Sequence, residues 1–160
     1  MKFLSLRSAW LFLPFTMLLG QLLSACLPRS QADAIEAVLN KCAKYSTHVN
    51  QSNLGAGDKA AYLADQMQSL DTRDCPPDFR QAFQAHILAW RDAASALANN
   101  TPENRYFAGT VSEITGDPTL VAQTQLKTSL ATQRIDESYQ ALVSIARQHG
   151  ARVPVSVVNT

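Results

Sequence analysis

Six apolar residues, Phe79, Phe83, Ile87, Trp90, Ala94 and Leu97, step by four, four, three, four and three along one stretch of the chain. Steps of three and four return to the same side of an α-helix, so this stretch is a helix with one apolar stripe about five turns long. A stripe of that length has to be covered by other elements. Pro76-Pro77-Asp78 opens the helix, since proline is tolerated in the first turn and aspartate complements the positive end of the helix dipole. Asn99-Asn100 closes it.

The rest of the chain supplies further helices. Ser30 caps a helix that carries Asp33 in its first turn and Ile35, Val38, Leu39, Cys42 and Tyr45 at helical spacing, to about Ser46. His48 to Gly57 reads as a polar, glycine-containing loop. Asp58 caps a second helix with Ala61, Leu63, Met67 and Leu70, which Asp71 to Pro77 ends. Thr101-Pro102-Glu103 starts a fourth, with Phe107, Val111 and Ile114 as its stripe and Gly116 as its stop. Asp117-Pro118 starts the last, reaching His149 before Gly150. On it Val121, Thr124, Thr128, Ala131, Ile135, Tyr139, Leu142 and Ala146 share one face, while Leu126 and Leu130 fall opposite. Either this helix is buried on both faces near its middle, or it breaks near Thr132. The tail from Val153 to Val158 has strand-like composition and no partner strand. The pattern predicts an all-α bundle of four or five helices.

Before these helices stands a short leader. Lys2 and Arg7 are its basic residues, and Ala9 to Leu23 is apolar except at Pro14, Thr16, Gly20 and Gln21. That length suits a signal-peptide core, whereas a membrane-spanning helix wants about 20 apolar residues. The leader ends in Leu23-Ser24-Ala25-Cys26, which resembles the lipobox of bacterial lipoproteins: apolar, small, small, cysteine. The resemblance implies cleavage before Cys26 and acylation of Cys26, including a palmitate-type chain. It divides the sequence into a signal peptide (1–25), a lipidated cysteine with a short tether (26–30), a helical domain (31–150) and a tail (151–160). One acyl chain holds a protein only marginally, and two or more make anchoring stable. Leu27 in place of the aspartate that retains enterobacterial lipoproteins at the inner membrane implies the outer membrane, facing the periplasm. Leu27 to Ser30 reaches at most about 14 Å, so the folded domain and its partners are expected close to the bilayer.

The same resemblance organises the cysteines. The lipid accounts for Cys26, leaving Cys42 and Cys75 of the three. In an oxidising periplasm a Cys42–Cys75 disulfide is the expected state, worth about 3–4 kcal/mol in chain entropy; the alternative is two separate buried thiols. Lys2 and Arg7 leave with the leader, so 12 of the 14 basic residues remain against all 13 acidic ones, a net of −1. No basic stripe is present, so nucleic-acid binding has no electrostatic support.

No local motif announces chemistry. Gly55-Ala56-Gly57-Asp58-Lys59 is glycine-rich but lacks the spacing of a phosphate loop and follows a helix. Neither GxSxG nor HExxH occurs, and His48 has no partner at metal-ligand spacing. Asp71, Asp74 and Asp78 cluster at a turn, where carboxylates serve capping and solubility. His86 borders the apolar stripe beside Trp90 and is the one candidate base; a hydrogen-bonded histidine at the core edge fits the same spacing. His149 suits a helix C-terminus. Trp90 is in phase with the core, and Leu126 and Leu130 mark an interaction surface if nothing covers them. The segment from Cys75 to Trp90 resembles small bacterial secreted proteins, a resemblance that transfers no functional residue.

These features predict a lipid-anchored, periplasm-facing binding or scaffold module without cofactor, metal or catalytic residues. Its expected partners are membrane lipid through Cys26 and a protein at the membrane surface. Two alternatives remain: an inhibitor or immunity-type lipoprotein, and a small envelope hydrolase with His86 as base.

Overall fold

The computed structural model describes residues 30–116 and 118–154, with Leu120 described by its backbone alone. The expectations for the leader, Cys26 and its tether, Asp117 and the tail beyond Pro154 lie outside the described residues. The described residues form five helices and no strand: α1 (Gln31–Asn50), α2 (Ala56–Gln68), α3 (Pro77–Ala98), α4 (Pro102–Thr115) and α5 (Thr119–Gln148).

The starts follow the capping residues. Ser30 Oγ accepts the Asp33 N–H at 3.1 Å, and Thr101 Oγ1 accepts the Asn104 N–H at 3.2 Å. Pro77 and Pro102 occupy the first turns of α3 and α4. Two boundaries move. α1 runs one turn beyond Ser46, because Val49 continues the apolar spacing of Cys42 and Tyr45 and is fully buried. α2 begins inside the expected loop, at Ala56, with Asp58 in its first turn rather than at its cap. Gly57 lies against the end of α3: a Cβ there would stand 2.8 Å from the Ala98 nitrogen.

α5 is one unbroken helix of 30 residues, with no interruption at Thr132. Its C-terminus closes in a Schellman motif. Gly150 takes a left-handed φ of 76°, its N–H reaches the Arg147 carbonyl at 2.9 Å, and the Ala151 N–H reaches the Ala146 carbonyl at 3.0 Å. Ala146 and Ala151 are both buried, supplying the apolar contact that accompanies this cap.

α3 is the central element. It packs against α2 on one side and α5 on the other. Side-chain bonds between α3 and α5 and at their ends form antiparallel rungs: Asp78–His149, His86–Ser138, Asp92–Arg134 and Asn100–Thr128. The core lies toward the start of α3. It joins Ile35, Val38 and Leu39 of α1, Leu63 and Met67 of α2, Phe79, Phe83 and Ile87 of α3, and Leu142 and Ala146 of α5. The Phe79 and Phe83 rings lie 5.9 Å apart. The expected α3 stripe is therefore core through Ile87. Trp90 is partly buried, and Ala93 rather than Ala94 is enclosed further along.

The expected disulfide is not part of this fold: no sulfur–sulfur bond joins Cys42 and Cys75. The two thiols sit at different levels of the bundle. Cys75 lines a small cleft with Ala34, Val38 and Lys41. Cys42 lies one turn beyond Val38, near enough to Tyr139 of α5 to raise the pKa of its phenol. Burial pushes the Cys42 thiol up to about 12, so it stays protonated.

α4 is the second departure. Its predicted stripe of Phe107, Val111 and Ile114 does not turn inward. The only fully buried residue of α4 is Ala108, and α4 packs on α5 alone among its well-formed contacts. α4 and the first half of α5 thus form an arm beyond the main core.

Candidate functional site

His86 is the buried polar centre of the molecule, with 6% of its surface exposed. The α3 helix brings Trp90 one turn away, and the Trp90 Nε1–H donates to His86 Nε2 at 3.1 Å. Indole nitrogen only donates, so Nε2 must be the acceptor and Nδ1 carries the proton. Nδ1–H then donates to Ser138 Oγ at 2.8 Å, and the Ser138 hydroxyl donates to the Ile135 carbonyl at 2.9 Å. The chain of donors runs Trp90, His86, Ser138, Ile135, with each proton used once. Burial lowers His86 to about 4, so the ring is neutral at ordinary pH.

This wiring decides what His86 can do. A general base needs a free lone pair beside the proton that it takes. The one lone pair of His86 is held by Trp90, and the proton on Nδ1 points at the only hydroxyl in reach. Ser138 is therefore an acceptor from histidine, the reverse of an activated nucleophile. The Tyr139 ring stands 5.8 Å from His86, and its buried hydroxyl has no hydrogen-bond partner. Sequence reading missed Ser138, which is 52 residues from His86. Its signal was a serine in phase with Ala131, Ile135 and Leu142 on the buried face of α5.

The acidic cluster separates rather than converges. Asp71 takes the Arg73 guanidinium at 2.6 Å and the Arg73 N–H at 3.0 Å, and this pairing holds its carboxyl down at about 2. Asp78 accepts from His149 Nε2 at 2.8 Å, which lowers its pKa, and from the Phe79 N–H. His149 thereby ties the end of α5 to the start of α3. The glycines at 55–57 give no phosphate cradle, because Gly57 is filled by Ala98. Among the described residues no three His, Cys, Asp or Glu side chains group as metal ligands, and no helix is long and apolar enough to cross a membrane.

The surface offers a different feature. Leu126 and Leu130 are 59% and 46% exposed. The arm adds Tyr106, Phe107 and Ile114, at 80%, 66% and 79%. Below Leu130 runs an open groove of about 440 Å³ between α3 and α5, crossed by an Arg134–Asp92 ion pair at 3.3 Å. Five large apolar side chains on one two-helix arm form a patch of the kind that marks an interaction site. The chain matches no protein-family model, no curated protein and no solved structure.

Proposed function

We propose that this protein is a lipid-anchored envelope protein, held through acylated Cys26 at the outer membrane facing the periplasm, which acts by binding and not by catalysis. The observation that carries the binding role is the uncovered apolar face of the arm, which includes Leu126 and Leu130. The internally satisfied hydrogen bonds of His86 support the same reading, since they remove the one candidate base from service. The anchor rests on the resemblance of Leu23-Ser24-Ala25-Cys26 to a lipobox.

Crosslinking in intact cells, followed by mass spectrometry of the products, tests the two parts together. The wild-type chain is expected to incorporate labelled fatty acid, fractionate with membranes and yield a dominant crosslinked partner. Cys26→Ala should lose both the label and the membrane association. Acyl labelling that persists in Cys26→Ala removes the anchor. Absence of any partner above background removes the binding role.

A further inference from the structure

We propose that the arm is a self-association surface, on which the α4 face of one copy seats against the α5 face of a second copy about a two-fold axis. The inference rests on the reading of the arm as a binding surface and names its occupant.

Each helix of the arm carries half of a complementary pair. On α4, Phe107, Thr110 and Ile114 recur at three- and four-residue steps and share a side with Glu103, while Tyr106 and Glu113 flank it. Arg105, the other charged residue of α4, falls on the opposite side by helical phase. On α5 the exposed pair is Leu126 and Leu130, and the only charged residues from Thr119 to Ile135 are Lys127 and Arg134. One helix therefore offers apolar side chains bordered by two carboxylates, and the other offers apolar side chains bordered by two cations.

The spacing fits as well. Phe107 and Ile114 are two turns apart, about 10.5 Å, with small Thr110 between them. Leu126 and Leu130 are one turn apart, about 6 Å, and fit the gap over Thr110. Because every chain carries both halves, a two-fold axis satisfies both at once and closes the assembly at two copies. The product would be a four-helix arrangement of two arms.

A bilayer suits the surface less. The carboxylates of α4 oppose the cations of α5, so an anionic membrane gains little from them. The chain also enters from the other end of the molecule. The Arg152 N–H bonds Glu36 Oε1 at 2.8 Å, which places the start of α1 beside the end of α5. Leu126 is about 33 Å from that end along α5. An anchor ahead of Ser30 does not by itself carry Phe107 or Ile114 to the membrane.

The test uses the full chain, co-expressed in cells as two differently tagged copies, with the photo-reactive residue benzoylphenylalanine in place of Ile114. Irradiation is expected to give a covalent dimer linking position 114 of one copy to the peptide around Leu126 and Leu130 of the other. Glu103→Lys with Glu113→Lys should lower its yield about tenfold, the effect of a modest loss of interface energy. Adding Lys127→Glu and Arg134→Glu to that chain should restore the yield, because the charges are then complementary again with signs exchanged. All four residues are exposed, and unchanged helicity by circular dichroism will show that the variants fold. Failure of the fourfold variant to recover overturns the pairing. Crosslinks from position 114 to a different protein alone overturn self-association and leave the binding reading standing. Crosslinks to lipid alone, or no product at all, overturn both.

Discussion

At the scale of the residue, His86 makes the sharpest statement about solution behaviour. An unfolded histidine titrates near 6.5, and in the fold burial lowers it to about 4. Between these values the unfolded chain binds the extra proton and the folded chain does not. This histidine's contribution is therefore full above pH 6.5 and falls as pH drops through the window, levelling below about 4. The total is on the order of 3 kcal/mol. Urea titrations from pH 7 to 4 should show that loss in the wild-type chain and a flatter profile in His86→Gln; identical profiles would mean that the ring charges without opening the bundle. The sequence placed His86 at the edge of the core, and the structure keeps it there. What it did not contain was the proton chain, because the deciding partner, Ser138, is on another helix and shows itself only as a polar residue in an apolar phase.

At the scale of the element, most helices were legible, since their signals are local. Ser30, Thr101 and the prolines at 77 and 102 set four ends by caps or first-turn preferences. Local signals fail where a neighbour decides. The start of α2 reads as a glycine loop, but Gly57 is helical and packed on the Ala98 backbone. Gly57→Ala should cost about 2 kcal/mol, as the added methyl forces α2 away from α3. Gly109→Ala is the contrasting case: a Cβ there meets nothing within 4 Å, so the better helix former should stabilise by about 0.5–1 kcal/mol. Thermal melts of the two variants should move in opposite directions. α4 fails for a related reason. Periodicity says that Phe107, Val111 and Ile114 share a side, but not that anything covers that side. The contact with α5 is made instead through small Ala108.

At the scale of the whole molecule, stability is distributed unevenly. The apolar cluster gathers α1, α2, the first half of α3 and the end of α5, whereas the arm buries little beyond Ala108 and Ala131. Amide hydrogen exchange should therefore grade along α5, fast from Thr119 to about Leu130 and slow around Leu142 to Ala146; uniform protection would mean that the arm is held as firmly as the core. The all-helical class was readable from period alone, while the thiol separation was not, because it depends on how far around α1 each cysteine falls. The contacts between α3 and α5 carry one more consequence. Apolar stripes tolerate sliding, since one methyl replaces another. A slip of α5 by one turn, about 5.4 Å, would strand the His86 Nδ1–H and the Asn100 amide and break the ion pairs at Asp92 and Asp78 together. Each stranded buried group costs about 1–3 kcal/mol. The two longest helices are thus keyed to a single register, and the molecule behaves as a ruler: it sets one fixed length between the end where the chain enters and the tip where its apolar face is displayed.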